Sequence, residues 1–317
     1  MNPHIIRSFK GKRVLLIGDA ILDIYIYCNV VGQALYAAVP EVEEIKSVIS
    51  FGGNGLVASN ILDLVGNLTF ISVIGADEDS KYYNSFVHPK LKKLFFIDKM
   101  RKTTVKRRWY VGGRALLQAN QVDNHYINKD LERKIIKSVE SHVKNTDVIV
   151  IMDPQHGLLT KSLISHLKKI SKKFKKPMYV DVQISHRKSN HGLYTGVDGM
   201  LLNEKEAKAV YPKFDFKKPE KSLQAIKKKL KLNNVVVKLG SQGAIAMFGD
   251  QYIKSQPYKV RAVDPCGAGD AFLAAFSLGD RNQPKESLKI ANIWGALSTK
   301  IHGTIPPKKK DLIKAIK

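Results

Sequence analysis

The stretch Asp264-Pro265-Cys266-Gly267-Ala268-Gly269-Asp270-Ala271-Phe272 runs directly into an apolar segment ending at Leu278. Glycine and alanine at a loop-to-helix junction let backbone N–H groups converge on an anion, and the start of a helix adds positive potential there. This is equipment for binding phosphate. A carboxylate in the same place, Asp270, repels phosphate unless it has a further task, and deprotonating a hydroxyl that attacks a phosphoryl group is such a task. The same residues would also serve as a plain turn with Asp270 capping the helix. The nucleotide-binding pattern G-x-x-x-x-G-K-[ST] is absent, which excludes a P-loop site.

The elements that must hold this loop show as short apolar runs. Val14 to Ile17 ends in Gly18-Asp19, Leu68 to Ile74 in Gly75-Ala76-Asp77, and Val148 to Met152 in Asp153-Pro154. Met178 to Val180 ends in Asp181, Gly199 to Leu202 in Asn203, and Val235 to Val237 precedes Lys238-Leu239-Gly240. Each reads as a buried parallel strand delivering polar groups at its carboxyl end, where open α/β sheets place ligands. Helical patterns over Leu56 to Val65, Asp130 to Val143, Thr160 to Phe174, Glu204 to Val210 and Pro219 to Leu230 alternate with them. The alternation predicts an α/β fold with a doubly wound, mostly parallel sheet. Residues 25–50 and 103–122 break it, because both look β-rich and neither has a helical period. Their strands are expected to pair as a small β-sheet lid over the carboxyl ends of the main sheet. With no internal repeat and no low-complexity linker, a single domain over residues 1–317 is expected.

Composition narrows the classes further. With 44% hydrophobic and 26% charged residues, collagen-like, disordered and coiled-coil chains are excluded. Lys and Arg total 53 against 28 acidic residues, a net charge of +25, which raises nucleic acid as a partner. The type of base argues otherwise, since only 10 of the 53 are arginines and 43 are lysines. The lysines cluster at Lys172, Lys173, Lys175 and Lys176, at 227–231 and at 308–310, as solvated faces do. Anionic small-molecule substrates and no nucleic acid are therefore expected. Two cysteines, Cys28 and Cys266, build neither a disulfide framework nor a four-thiolate zinc site. Met1 to Lys12 lacks the apolar core of a signal peptide and no run of 18 apolar residues occurs, so a cytoplasmic protein with no membrane association is expected.

Gly267-Ala268-Gly269-Asp270 after Asp264, the early pair Gly52-Gly53, and the start Gly18-Asp19 to Asp23 together resemble the PfkB-type, ribokinase-like carbohydrate kinases. The resemblance covers nearly the whole chain in the expected order. Within that family the chain is similar to the D-glycero-β-D-manno-heptose-7-phosphate kinases of lipopolysaccharide precursor synthesis, through Val14 to Asp23, Thr103 to Arg108 and Lys300 to Thr304. It implies an ATP-dependent kinase that transfers the γ-phosphoryl group to a hydroxyl of a sugar or sugar phosphate, most closely a heptose 7-phosphate. It also implies Mg²⁺, a monovalent cation helped by Asp264, and a homodimer formed through the lid. No transferase domain follows Lys317, so a fused bifunctional arrangement is not expected.

Residue by residue, the resemblance makes Asp270 the base and Gly267, Ala268 and Gly269 the anion hole. Asn203 and Glu206 match an N-x-x-E that organises Mg²⁺ near the triphosphate, although Asn203 as a helix cap and Glu206 as a first-turn acid fit the same pattern. Lys238, Gly240 and Gly243 fall on the nucleotide-side glycine turn, which a plain turn between two strands explains almost as well. Asn292 falls on the adenine wall. On the acceptor side, Asp19 and Asp23 match carboxylates that accept sugar hydroxyls, and Gly52, Gly53 and Asn54 match the place where backbone approaches the sugar. Lys106 and Arg108, two apart on a lid strand, share a face and could clamp a phosphate on the acceptor, or be an exposed basic strand. Departures lie on the sugar side: Leu56 replaces an Asn, Gln33 to Pro40 with Leu35 replaces a segment rich in Arg, Ser, Pro and Glu, and Gln121 replaces an Arg. They leave open another sugar, a nucleoside or a small alcohol as acceptor, or a catalytically silent nucleotide-binding sensor.

Overall fold

The computed structural model describes residues 9–64, 66–184 and 189–316. Expectations falling on residues 1–8, on Val65 and on Lys317 lie outside the described residues. In chain order the first half is β1 (Arg13–Ile17), β2 (Ala20–Gln33), β3 (Pro40–Gly53), α1 (Asn54–Asp63), β4 (Asn67–Gly75), β5 (Leu91–Asp98), β6 (Thr104–Val111) and β7 (Arg114–Gln121). It continues with α2 (Lys129–Val143), β8 (Val148–Asp153), α3 (Lys161–Lys173), β9 (Met178–Val182), β10 (Gly199–Asn203), α4 (Glu204–Val210) and α5 (Pro219–Leu230). The last part is β11 (Asn234–Lys238), β12 (Ala244–Phe248), β13 (Gln251–Ser255), α6 (Ala268–Leu278), α7 (Pro284–Ser298) and α8 (Lys309–Ile316).

Nine strands form one sheet in the order β13-β12-β11-β10-β9-β8-β1-β4-β5. Neighbours pair in parallel from β11 to β5, and β12 and β13 turn back antiparallel at the edge. The strand order reverses between β1 and β8, so the crevice of this open sheet opens where Gly18-Asp19 and Asp153 leave the strand ends. Both faces are covered, which is why β1 is apolar at consecutive positions. Val14 and Leu16 enter one buried cluster, while Leu15 and Ile17 enter the other.

The covering helices follow from their spacing. In α2, Leu131, Ile135, Val139 and Val143 recur every four residues and are buried, and the Asn128 side chain caps the start by accepting from the Leu131 amide. Helix α6 differs, being buried from Ala271 through Leu278 because the sheet lies on one side and α1 and α7 on the others. Trp294 of α7 donates its Nε1–H to Asn60 Oδ1 of α1 at 2.7 Å, and Asn60 Nδ2 donates to the Leu56 carbonyl at 2.8 Å. This buried pair joins the two helices that flank α6.

A second sheet of four strands has the order β3-β2-β6-β7. It is the small β-sheet expected from residues 25–50 and 103–122, with one difference: β2 begins at Ala20, directly after Asp19, so the chain passes from main sheet to lid within two residues. The pattern did not bring out β5, β13, α7 or α8. Strand β5 lies at the sheet edge with most of its residues half-buried, and Leu-Lys-Lys-Leu-Phe-Phe-Ile-Asp therefore shows neither alternation nor an unbroken apolar run. Among the described residues, no helix is long and apolar enough to cross a membrane. Trp294→Phe strands the buried Asn60 oxygen without its donor. A loss of about 1–3 kcal/mol is expected from denaturant unfolding, with the slope unchanged.

Candidate active site

The Asp264–Asp270 loop is held from both sides. Asp264 accepts the Cys266 amide at 2.9 Å through one oxygen and the Gly303 amide at 3.0 Å through the other, fastening the loop to the segment around His302. Gly267 stands at φ 81° immediately before α6, and a Cβ there would lie 2.3 Å from Leu56 Cδ2. Leu56, a departure on the sugar side by sequence, is thus the buried apolar support beneath the loop. The loop delivers Ala268, Gly269 and Asp270 to the first turn of α6, whose start and dipole face a cavity of about 1080 Å³, the Ala268 amide donating to the Pro265 carbonyl at 3.3 Å.

Three neighbouring strands aim charged or polar groups into that cavity: β9 ends beside Asp181, β10 at Asn203 and β11 at Lys238, the last two being register partners. Lys238 forms an ion pair with Asp181. Burial would lower the Lys238 ammonium, but Asp181, Glu206 and Asp270 around it raise it instead. Asp270 is half-buried at the cavity floor, and its carboxyl is pushed up to about 7, first by burial and then by Asp181, with Lys238 opposing. Glu206 is also pushed up to about 7 by burial and by Asp181. Asp181, which motif reasoning did not single out, is therefore central, and its signal was its place at the end of an apolar strand.

Asn203 and Glu206 form a reciprocal cap on α4: Asn203 Oδ1 accepts the Glu206 amide at 2.9 Å, and Glu206 Oε2 accepts the Asn203 amide at 2.6 Å. The capping reading is realised, and it leaves a disfavoured buried carboxylate at the cavity wall. Among the described residues, no three His, Cys, Asp or Glu side chains group as a metal cage. Mg²⁺ needs few direct carboxylates when phosphate oxygens and water complete its shell, so the oxygen donors here fit that ion. Gly240 (φ 55°) and Gly243 (φ 91°) form the turn before β12, and a Cβ on Gly243 would lie 2.3 Å from the Ser255 carbonyl. Asn292 donates to the Gln256 carbonyl at 2.6 Å. Both act by fixing the 255–257 wall of the cavity.

The lid presents a second set. Strands β2 and β6 pair in parallel with Asp23 opposite Lys106, Tyr25 opposite Arg108 and Tyr27 opposite Tyr110. Arg108 Nη1 donates to Asp23 Oδ1 at 2.5 Å, so the basic pair is not simply exposed: Arg108 neutralises the buried carboxylate. A Cβ on Gly52 would lie 2.0 Å from Asp23 Oδ2, and glycine is what lets β3 lie against this carboxyl. Gly53 takes φ 53° where β3 turns into α1. Asp23 and Lys106 both act on the charge of Asp270, and Arg108 and Asp23 on the Cys266 thiol, so the lid face meets the phosphate loop.

Two acceptor-side candidates, Asp19 and Asn54, lie buried at the sheet crevice. Asp19 is 2% exposed, accepts the Leu158 amide at 3.1 Å and lies 3.6 Å from Arg101, with its carboxyl pushed up to about 6 by burial and Asp153. Asn54, fully buried, donates to the Asp19 carbonyl at 3.1 Å and the Met152 carbonyl at 2.8 Å. Both hold the ends of β1 and β8 together at the crevice. Gln33 and Leu35 are exposed at the hairpin tip, ten and twelve residues from Asp23 and hence about 30 Å or more along the hairpin, away from the lid face at Asp23. Gln121 donates to Asp79 Oδ2 at 3.1 Å and the Thr103 carbonyl at 3.0 Å, serving the lid's base. The reading missed an aromatic group of Tyr25, Tyr27, Tyr110 and His302, in which His302 packs edge-on to Tyr110 at 4.8 Å. The period of two from Asp23 through Tyr25 to Tyr27 was the available signal.

The sequence matches the model of the pfkB family carbohydrate kinases over residues 12–311. The chain belongs to the pfkB family. It is 28% identical over 290 residues to the bifunctional protein HldE of Campylobacter jejuni subsp. doylei, covering 90% of this chain and 60% of that protein. With the bifunctional protein HldE of Aliarcobacter butzleri the identity is 29% over 295 residues, with the same coverage of 90% and 60%. The chain thus spans about 60% of the length of these curated relatives. Among solved structures, phosphofructokinase-2 of Escherichia coli in complex with potassium superposes with a TM-score of 0.77 at 20% identity over 96% of this chain and 97% of that one. Arabidopsis thaliana ribokinase complexed with ribose and ATP gives 0.73 at 19% identity over 97% and 99%. At these identities the likeness establishes the ribokinase-like fold, small sheet included.

Asp270 carries a stability consequence of defined sign. Its carboxyl titrates near 3.8 when unperturbed and near 7 in the fold, so between those values the folded chain binds the extra proton and stability falls as pH rises. Asp270→Asn is expected to melt higher than the parent at about pH 8, the gap closing as pH falls toward about 4. Melting temperature against pH checks this, and equal melting at the alkaline end would contradict it.

Proposed function

We propose that the cavity beside α6 takes Mg·ATP and that the acceptor lies between the phosphate loop and the lid face carrying Asp23, Lys106 and Arg108. The observation that carries this reading is Asp270, a carboxylate left proton-hungry at the start of the very helix that attracts phosphate. Asp270 takes the proton of the acceptor hydroxyl as its oxygen attacks the γ-phosphorus, and the bond to the β–γ bridging oxygen breaks in line. The amides of Gly267, Ala268 and Gly269 meet the charge on the transferring group. Lys238, held at the wall by Asp181, supplies positive charge beside it. Glu206 and Asn203 would hold Mg²⁺ and its waters, and the ion supplies charge neutralisation across the phosphates. A monovalent cation would draw on the lone pairs that Asp264 does not spend on amides.

For the acceptor, a sugar phosphate and specifically a heptose 7-phosphate is the reading we favour. Arg108 pairs with Asp23 and Lys106 stands beside it, so one face offers a carboxylate for hydroxyls and two cations for a phosphate. The HldE relatives and the motif resemblance point to the same class. Coupled ADP release with Mg·ATP over a panel of sugars and sugar phosphates tests it. Turnover on the heptose phosphate is expected, falling about 10²- to 10⁴-fold in Asp270→Asn, with parent activity declining below about pH 7 as Asp270 takes up its proton. Turnover only on an unphosphorylated sugar or a nucleoside would move the acceptor, and ATP binding without turnover on any acceptor would favour a sensor.

The whole described chain acts here as one kinase unit, with the lid formed by residues 25–50 and 103–122. The lid hairpin also supports a homodimer, because its exposed Val30, Val31, Leu35, Tyr36 and Ile45 leave apolar surface for a second copy to cover. Light scattering is expected to show a dimer for the parent and a monomer for Leu35→Asp/Tyr36→Asp; a monomeric parent would exclude this assembly.

A further inference from the structure

At the amino ends of the strands, opposite the ATP cavity, two cavities adjoin. One of about 320 Å³ is bordered by Lys168, Lys172, Lys175, Lys176 and Arg281. Its neighbour, about 720 Å³, is bordered by Tyr179, Phe248 and Phe276 together with the side-chain amides of Gln251 and Asn282. Asn233 and Arg281 line both, so the two form one groove with a basic half and an aromatic, amide-lined half.

The basic half is poorly compensated. Asp198, its carboxylate, already accepts the Met178 amide at 2.9 Å and lies 3.7 Å from Arg281. Asp147 stands near Lys176 but is held by Arg13 at 2.7 Å. Among the described residues, no carboxylate forms an ion pair with Lys172, Lys175 or Lys176. Lys168 donates to the Leu193 carbonyl at 3.1 Å, and burial and the Lys172 charge both make its ammonium harder to keep. The end of α3 favours Lys172 through its dipole, but that does not account for Lys176 and Arg281 converging from the turn before β9 and from the α6–α7 loop. Lysines crowded around a walled space are relieved by a multiply charged anion.

We infer that this groove is a second ligand site, for an organic pyrophosphate of the nucleoside diphosphate class. The diphosphate sits among the lysines and the nucleoside enters the larger cavity beside the half-buried Phe248, where the Gln251 and Asn282 side-chain amides can meet its polar edge. None of these residues takes part in the proposed phosphoryl transfer.

The probe is UDP, titrated by calorimetry into the full chain with the ATP cavity saturated by a non-hydrolysable ATP analogue. One UDP per chain is expected to bind, with uridine alone failing to do so at about 1 mM. Lys172→Glu/Lys176→Glu should weaken binding by roughly tenfold or more while melting temperature and kinase turnover stay at parent values. UDP binding that disappears when the ATP cavity is filled, that survives the double charge reversal, or that is matched by uridine would overturn the inference, as would no binding at all. A variant that melts early is replaced by Arg281→Ala, read in the same way.

Discussion

The buried ion pair between Lys238 and Asp181 stands where three strand ends meet the start of α6, and the charge balance of the cleft turns on it. Asp181, Glu206 and Asp270 all bear on one ammonium group. Removing that cation would leave three carboxylates facing one another across the cavity without a partner, an arrangement that proteins avoid because unpaired buried charge is strongly destabilising. With it in place, Asp270 and Glu206 still titrate near neutrality. The cleft thus holds negative charge in excess on its protein side and amide donors at the helix start, which suits a ligand that brings its own cation with its phosphates.

The lid side follows the same logic with a different pair. Asp23 is buried under the lid and tolerated there because Arg108 reaches it, and Tyr25 lies beneath the guanidinium at 5.4 Å. Glycine then does what no other residue can: Gly52 lets β3 press on the Asp23 carboxyl, and Gly267 lets the phosphate loop rest on Leu56. Each close approach joins a loop to an element from elsewhere in the chain. The loop at Asp264, the lid and α1 therefore form one mechanical unit around the reacting groups.

Beneath it, Asp19, Arg101, Asp98 and Asn54 fill the crevice between β1 and β8 with buried polar contacts. They occupy the place where an open sheet usually receives a ligand, and here that place is packed with the chain's own side chains. The open cavity lies instead beside the start of α6. Asp19, a carboxylate at a strand end, is tied into this network by the Leu158 amide and Arg101.

Much of this was legible in the sequence because its causes are local. Period-two and unbroken apolar runs specify strands, four-residue spacing specifies helices, and Gly267 through Asp270 at a loop-to-helix junction specifies an anion site with a base. Strand β5 and helix α7 were not legible, since edge exposure and burial on several sides erase the periodicity that marks an amphipathic element, and α8, eight residues with only Leu312 and Ile316 buried, is too short to show a repeat. Which carboxylates face a ligand was not legible either: Asp19 and Asp23 lie four residues apart, yet one meets Arg101 in the crevice and the other meets Arg108 in the lid. That choice, like the pairing of Lys238 with Asp181 across 57 positions, belongs to the tertiary structure, because charge is tuned by groups that only folding brings within a few ångströms.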